Sequence, residues 1–380
     1  MSHYVYKRQA IDDVVPGMIL GKMLVTQDGK NFLNEGAVLT LRVIQTLQMW
    51  GFRYVDIREE VAGETPDDLS VDAGALPAVL NAETKTPDEL TEEKSKVPPG
   101  FQAYYQAAVQ IFKMNLGRAR FVKDGFEVKD IRQMVSECVL PLIEDAAVMD
   151  NLQMVSHTED YLYHHSVDVG ILSGCIGMWM GRPFREIEEI ILGAMLHDVG
   201  KTLIPLKVLN KPDVLTEEER NLVRFHSIRG YKFLKQNTEL PRSLLLCALQ
   251  HHERMDGSGY PLSVQADKIH PYAKIIAVAD VFDAMTSARN YGRRATPYEA
   301  VEVLRGERVS KLDGQVCSIF IDKLCQQFVG DVVELSDGRR GEVVFLNQFD
   351  STRPMVRTSE GSFVDLNKSR DLSISKMLHS

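Results

Sequence analysis

The chain has 380 residues, 44% of them hydrophobic, which is enough for two or three domains with sizeable cores. Its net charge is −9, and the 11 acids and 3 bases between Glu59 and Gly100 give −8 of that, so a general basic face for nucleic-acid backbones is not expected. No apolar run reaches the length of a membrane span, and the start MSHYVYKRQAIDD lacks an apolar signal core, so a cytoplasmic protein is expected.

In chain order, residues 1–58 read as a small α+β module. Short apolar runs flank Asp28-Gly29, a hairpin signal. Thr40 is placed to cap a helix running through Met49, Gly51 to end it, and FRYVDI to form a closing strand. Residues 59–100, acidic and punctuated by proline, read as a solvated linker. From Phe101 to about Val329 the periodicity is helical, with residues 101–133 as a lead-in and 134–329 as the main domain. FREIEEIILGAMLHDVG shows it best, placing Ile187, Ile190, Ile191, Ala194 and Met195 three to four apart. Residues 330–380 switch to period two and read as a small β appendage, with one hairpin turning at Asp337-Gly338 and another within MVRTSEGSFVDL. The fold class is thus mainly α, with a small α+β module before the helical domain and a β appendage after it. The five cysteines, Cys138, Cys175, Cys247, Cys317 and Cys325, form no C-x-x-C and are expected as buried free thiols.

Chemistry concentrates in the helical body. His165 interrupts one apolar helix, and His197 with Asp198 ends another. His226 opens HSIRGYKFL, His251 and His252 end LLLCALQHHE, and Asp280 ends the apolar stretch AKIIAVAD. A lone histidine on such a helix is more often a satisfied core residue, and DGSGYP alone is only a turn. Repetition changes the odds, because burying so many unpartnered polar groups is costly and a shared metal would satisfy several together. Imidazole and carboxylate without thiolate suit iron, manganese, nickel, cobalt or zinc. Seven ligands exceed one tetrahedral zinc but suffice for two metals bridged by one carboxylate, and Asp198 is placed to bridge.

LHDVGK, HSIRG, HHERMDGSGYP and AVADVFDAMTSARNY occur in that order between His165 and Tyr291. Together they closely resemble the motifs of the HD-GYP branch of the HD phosphohydrolase superfamily. VPGMILGKMLV and LNEGAVLT also look like a small module often found ahead of such domains. The resemblance implies an all-α HD-type domain and a cyclic di-GMP phosphodiesterase that lowers this bacterial second messenger by opening it to linear pGpG, with further cutting to GMP in many members. Alternative readings are an HD hydrolase of another cyclic dinucleotide and a binding or scaffolding module with weak turnover. By position, the resemblance implies that His165, His197, Asp198 and Asp280 hold one divalent metal, with Asp198 bridging to a second held by His226, His251 and His252. Iron or manganese come first, then nickel, cobalt or zinc. Some members carry a glutamate four residues before the first histidine and take a third metal. Tyr161 stands there in this chain, and Glu159 and Asp160 are at the wrong spacing, so two metals are expected.

Lys201 is expected to assist the leaving group or hold a phosphate oxygen, and Arg289 to clamp phosphate. The basic residue that follows the R-x-Y tyrosine in many relatives is Gly292 here, so one of Arg293 and Arg294 is the expected stand-in. Glu253 and Asp256 are expected to orient the histidines, Asp256 reading equally as a turn former, and Tyr260 to sit on a lip over the substrate. The histidines His157, His164 and His270 receive no role, His164 being read as structural. The expected partners are cyclic di-GMP and a diguanylate cyclase or receptor domain at the GYP loop, with a homodimer possible and no nucleic-acid polymer.

Overall fold

The structure is a computed structural model that describes residues 3–25, 31–49, 52–61, 99–121, 126–155, 160–209, 211, 213–287, 295–347 and 350–378. The chain divides into two compact units, residues 1–96 and residues 97–379.

In the first unit, β1 (His3–Ala10) pairs antiparallel with β5 (Tyr54–Val61), whose other edge takes β2 (Ile19–Leu20). The strands β3 (Leu24–Val25) and β4 (Asn31–Leu33) pair antiparallel on either side of Asp28-Gly29, while that turn and Gly51 lie outside the described residues. Helix α1 (Leu41–Met49) starts where the Thr40 hydroxyl accepts the Val43 amide at 3.3 Å. Leu20, Leu39, Ile44, Leu47 and Ile57 form its core. Strand β5 runs to Val61 and the next helix starts at Pro99, so regular structure enters both ends of the acidic stretch. Residues 62–98 lie outside the described ones.

The second unit opens with α2 (Pro99–Phe121) and α3 (Val128–Met134). A π-helical turn, Val135–Val139, leads directly into α4 (Leu140–Ile143), followed by α5 (Val148–Met154). Helix α6 (Tyr161–Trp179) is buried without interruption from His165 to Gly177, as a helix apolar on all sides must be. It packs against α7 (Phe184–Leu196), whose five predicted apolar positions are all fully buried. After α7 the chain leaves the helix at Asp198 and makes a 3-10 turn over Val199–Leu203. The short helices α8 (Leu206–Leu209) and α9 (Glu217–Arg224) follow, then α10 (His226–Asn237), α11 (Arg242–Gln250) and α12 (Pro271–Thr286). Helices α13 (Pro297–Glu307) and α14 (Gly314–Gln327) complete the helical body.

One backbone crossing sets the site's dimensions. The 3-10 turn passes so close to the start of α10 that a Cβ on Gly200 would stand 1.9 Å from the His226 carbonyl oxygen and 2.6 Å from the Gly230 nitrogen. The glycines of LHDVGK and HSIRG are therefore the two sides of one contact, and it holds Asp198 next to His226.

The appendage is an antiparallel five-stranded sheet in which β6 (Val332–Leu335), β7 (Arg340–Phe345), β8 (Met355–Thr358), β9 (Phe363–Asp365) and β10 (Ile374–Leu378) take the order β10-β6-β7-β8-β9. The predicted hairpins are β6-β7 and β8-β9. Arg305 on α13 donates to the Thr352 hydroxyl at 3.3 Å, and Ser351 donates to Asp322 on α14 at 2.6 Å, tying the sheet to the helices. All five cysteines are free and buried.

Candidate metal centre

Most of the candidate ligands stand where helices end. His197 is the residue after α7 and Asp198 the next, His226 is the first residue of α10, and His251 and His252 directly follow α11. At such positions side chains escape the fixed directions of a helical face and can converge. His165 and Asp280 differ, because both lie inside helices, α6 and α12. Asp280 thus ends only the apolar run, six residues before the helix itself stops.

The seven side chains form two groups. Asp198, His226, His251 and His252 present donor atoms within 4.8 Å of one another, and so do His165, His197 and Asp280. Asp198 divides its oxygens between the two sets. Its Oδ2 faces His197 Nε2 at 3.3 Å and His165 Nε2 at 3.5 Å, while its Oδ1 faces His226 Nε2 at 3.1 Å and His251 Nε2 at 3.7 Å. Asp280 lies 3.2 Å from His165 Nε2 through Oδ1 and 3.7 Å from His252 Nδ1 through Oδ2.

The backbone fixes the tautomers. The Nδ1 atoms of His197, His226 and His251 lie 2.5, 2.7 and 3.1 Å from the carbonyl oxygens of Ala194, Val223 and Cys247. A carbonyl only accepts, so each Nδ1 carries the proton and each Nε2 presents a lone pair to the centre. The His226 and His251 Nε2 atoms are 3.1 Å apart, a contact between two lone pairs that needs a cation to be favourable. His197 Nε2 and Asp198 Oδ1 are buried with no hydrogen-bond partner. Orphaned acceptors and facing lone pairs fit a divalent cation, the kind of ion HD-domain phosphohydrolases use.

The electrostatics of His251, His252, Asp198 and Asp280 agree with that fit. Burial, together with His252, His197 and His226, holds His251 well below the usual histidine range. Burial is also the largest cause that pushes His252 down to about 3, against the pull of Asp280. Both imidazoles are thereby kept neutral, the form that ligates metal. Burial opposes charge on Asp198, but Lys201, His197 and His165 outweigh it and hold the carboxyl well below the usual range. His165, His252 and His197 do the same for Asp280. His165 moves the other way: burial opposes its charge, while Asp198, Asp280 and Asp283 outweigh burial and raise it well above the usual range.

Lys201 stands on the 3-10 turn, not on a continuation of α7, and its ammonium pairs with Asp198 Oδ2. Tyr161, at the position where some relatives carry glutamate, stacks its ring on His165 with centroids 5.4 Å apart. Asp160 is ion-paired with Lys113, and Glu159 lies outside the described residues.

Two expected orienting acids do something else. Glu253 is buried and accepts the amides of Leu262 (2.6 Å) and Val264 (3.1 Å), so it staples the far side of the GYP loop. Asp256 accepts the Ser258 amide at 2.9 Å and hydroxyl at 2.6 Å, a local turn in an exposed position. Among the described residues neither has a histidine as its hydrogen-bond partner. Their sequence proximity to His251 and His252 misleads because Gly259 brings the chain back against Glu253, where a Cβ would meet the Glu253 Cα at 2.5 Å. Tyr260 lies with its ring centroid 4.6 Å from that of His252. Arg289, Gly292 and Arg293, and also His157, lie outside the described residues.

The acid that does face a candidate ligand is Asp283, whose Oδ2 is 2.6 Å from His165 Nδ1. Its signal in the sequence is its place one helical turn after Asp280 in VADVFDAM. A second buried set, Tyr105 on α2 with His164 (3.0 Å) and Asp168 (2.8 Å) on α6, borders the same helix. His164 is therefore part of a polar network, and the partner residue is 59 positions away in the sequence. His270 caps α12, its Nδ1 accepting the Tyr272 amide at 3.2 Å.

Comparison with known proteins gives three findings. Residues 143–316 match the HD domain family. A cyclic di-GMP phosphodiesterase of Pseudomonas aeruginosa is 29% identical over 74% of this chain and 67% of its own length, and a 3′3′-cGAMP-specific phosphodiesterase of Vibrio cholerae is 30% identical over 50% of this chain and 43% of its own. Among solved structures, an HDG"Y"P protein of Bdellovibrio bacteriovorus shares the fold with a TM-score of 0.50 and 17% identity, over 84% of this chain and 99% of that one. The chain thus spans about two thirds of the first relative and less than half of the second.

Proposed function

Residues 143–316 match the HD domain family, and from that premise we propose that the protein is an HD-GYP metal-dependent phosphodiesterase hydrolysing cyclic di-GMP to linear pGpG. The observation that carries the reading is Asp198, one buried carboxylate with an oxygen turned to each of two ligand groups. His165, His197 and Asp280 would hold one cation with Asp198, and His226, His251 and His252 the other. Cations so held, iron or manganese before nickel, cobalt or zinc, supply the Lewis acidity that phosphodiester hydrolysis requires and acidify the attacking water.

The chain's own residues do the rest. Asp283 fixes the ring of His165 through Nδ1, so that Nε2 points at Asp198 and Asp280. Lys201 is opposed by burial but raised by Asp198 and Asp280, so its ammonium stays protonated. Placed beside Asp198, it can neutralise a phosphate oxygen or give a proton to the departing 3′ oxygen. Arg289 and Arg293 are the further phosphate contacts this reading assigns.

A second substrate, 3′3′-cGAMP, is favoured by the Vibrio cholerae relative and differs only in one base. The deciding experiment loads the protein under anaerobic conditions, measures its metal, incubates it with each dinucleotide in turn and separates the products. The expected result is about two metals per chain and conversion of cyclic di-GMP through pGpG. A fully loaded protein that leaves both rings intact overturns the enzyme reading in favour of a binding module.

Asp283→Asn keeps the shape of the side chain and removes the charge facing His165 Nδ1. It is expected to weaken metal affinity about 10- to 100-fold, as loss of an orienting partner does. Competition with a chromogenic chelator measures this, and an affinity equal to wild type would show that Asp283 does not position the ring.

A further inference from the structure

The reaction requires a ring that carries two phosphodiesters, and the ligands described above can engage only one of them. The other keeps its negative charge and needs a partner of its own. Four cationic side chains are described around the GYP loop and the bridging aspartate. Lys201 is committed to Asp198, Lys311 pairs with Glu307 at 2.8 Å, and Arg254 turns its Nη1 onto the carbonyl oxygens of His251 (3.3 Å) and Glu253 (3.0 Å). Arg224 is the fourth. It ends α9 in an exposed position two residues before His226, and no carboxylate pairs with it among the described residues.

Its guanidinium carbon lies over the Tyr260 ring, 4.6 Å from the centroid, and that ring in turn lies against His252. A guanidinium stacked on an aromatic ring uses its face and leaves its in-plane N–H donors free, in the fork geometry that fits two phosphate oxygens. The stack also limits where the side chain can go, so little further ordering is needed when an anion arrives.

We propose that Arg224, held on Tyr260, clamps the second, non-reacting phosphodiester of a cyclic dinucleotide. This rests on the proposed reaction and adds a substrate contact on the rim formed by α9 and the GYP loop. It also gives the tyrosine of that loop a job: it is the platform for an arginine.

The test compares a ring substrate with a small one. Arg224→Ala and Arg224→Lys are assayed in metal-loaded protein on cyclic di-GMP, on 3′3′-cGAMP and on bis(p-nitrophenyl) phosphate, which has a single phosphodiester. For the alanine variant, KM for the cleaved ring is expected to rise at least about ten-fold more than KM for the small diester, the scale of a lost charge-assisted contact. The lysine variant, which keeps the charge and loses the fork, should fall between alanine and wild type. Equal changes on ring and small diester would overturn the clamp and mean that Arg224 acts on the centre through Tyr260. An unchanged KM for the ring would overturn it as well. A wild type that cleaves the small diester and neither ring overturns the substrate reading and the clamp with it, so the two failures are distinguishable.

Discussion

Replacing Asp198 with alanine is expected to lower turnover of the cyclic dinucleotide at least about a thousand-fold, because several kcal/mol of charge stabilisation by bound cations is lost and each 1.36 kcal/mol is a factor of ten. The expectation follows from the division of its oxygens. Oδ2 serves the His165, His197 and Asp280 group and Oδ1 the His226, His251 and His252 group, so one substitution removes a ligand from both. Two groups that would share a bridging anion would then bring two cations close together with less negative charge between them. Metal analysis of the variant should find less than half the wild-type content. Asp198→Asn, which preserves shape and removes charge, should resemble alanine in metal content. Retained metal with full turnover in either variant would place the centre elsewhere.

Gly200→Ala is expected to do comparable damage from a residue that ligates nothing. The added methyl would lie 1.9 Å from the His226 carbonyl oxygen and 2.6 Å from the Gly230 nitrogen, and both are backbone atoms that no rotamer change can move. The 3-10 turn or the start of α10 must shift, which separates Asp198 from His226. A displacement near 1 Å in a catalytic constellation costs about 100-fold in rate, and overpacking costs about 1–3 kcal/mol or more in stability. Thermal unfolding and turnover read the two effects. Gly117→Ala is the matched control, since nothing lies within 4 Å of its added Cβ inside α2. It should raise stability by about 0.5–1 kcal/mol. If Gly200→Ala behaved like Gly117→Ala, the crossing would not set the site.

The candidate ligands were legible because their types are rare in apolar helices and their strings are short: HD, HHE and a lone histidine opening a helix. The α7 face was legible because burial on one side of a helix imposes a period that composition alone displays. Asp283 was not, since an aspartate one turn after another is ordinary on a helix, and only the 2.6 Å contact with His165, 118 residues away, gives it a role. Tyr105 was hidden for the same reason, its partners His164 and Asp168 lying on another helix. Glu253 and Asp256 lie beside His251 and His252 in sequence, but the loop folds back and spends Glu253 on its own amides, while Asp256 takes the turn-forming role that DGSG also offers. The first strand, β1, carries no such local signal, because its apolar pattern is broken by Lys7, Arg8 and Gln9 and its structure depends on pairing with β5.

By itself, the sequence determined the inventory: which helices are amphipathic, where they stop, and that imidazoles and aspartates without thiolates recur at those stops. Periodicity and donor chemistry are local properties, so one chain displays them in order. Only the tertiary structure decided which oxygen of Asp198 faces which histidine, that Asp283 rather than Glu253 faces His165, and that Arg224 rests on Tyr260. Those are distances between elements far apart along the chain. They are set by how closely backbones can approach, as at Gly200 and Gly230, and no local pattern encodes a distance.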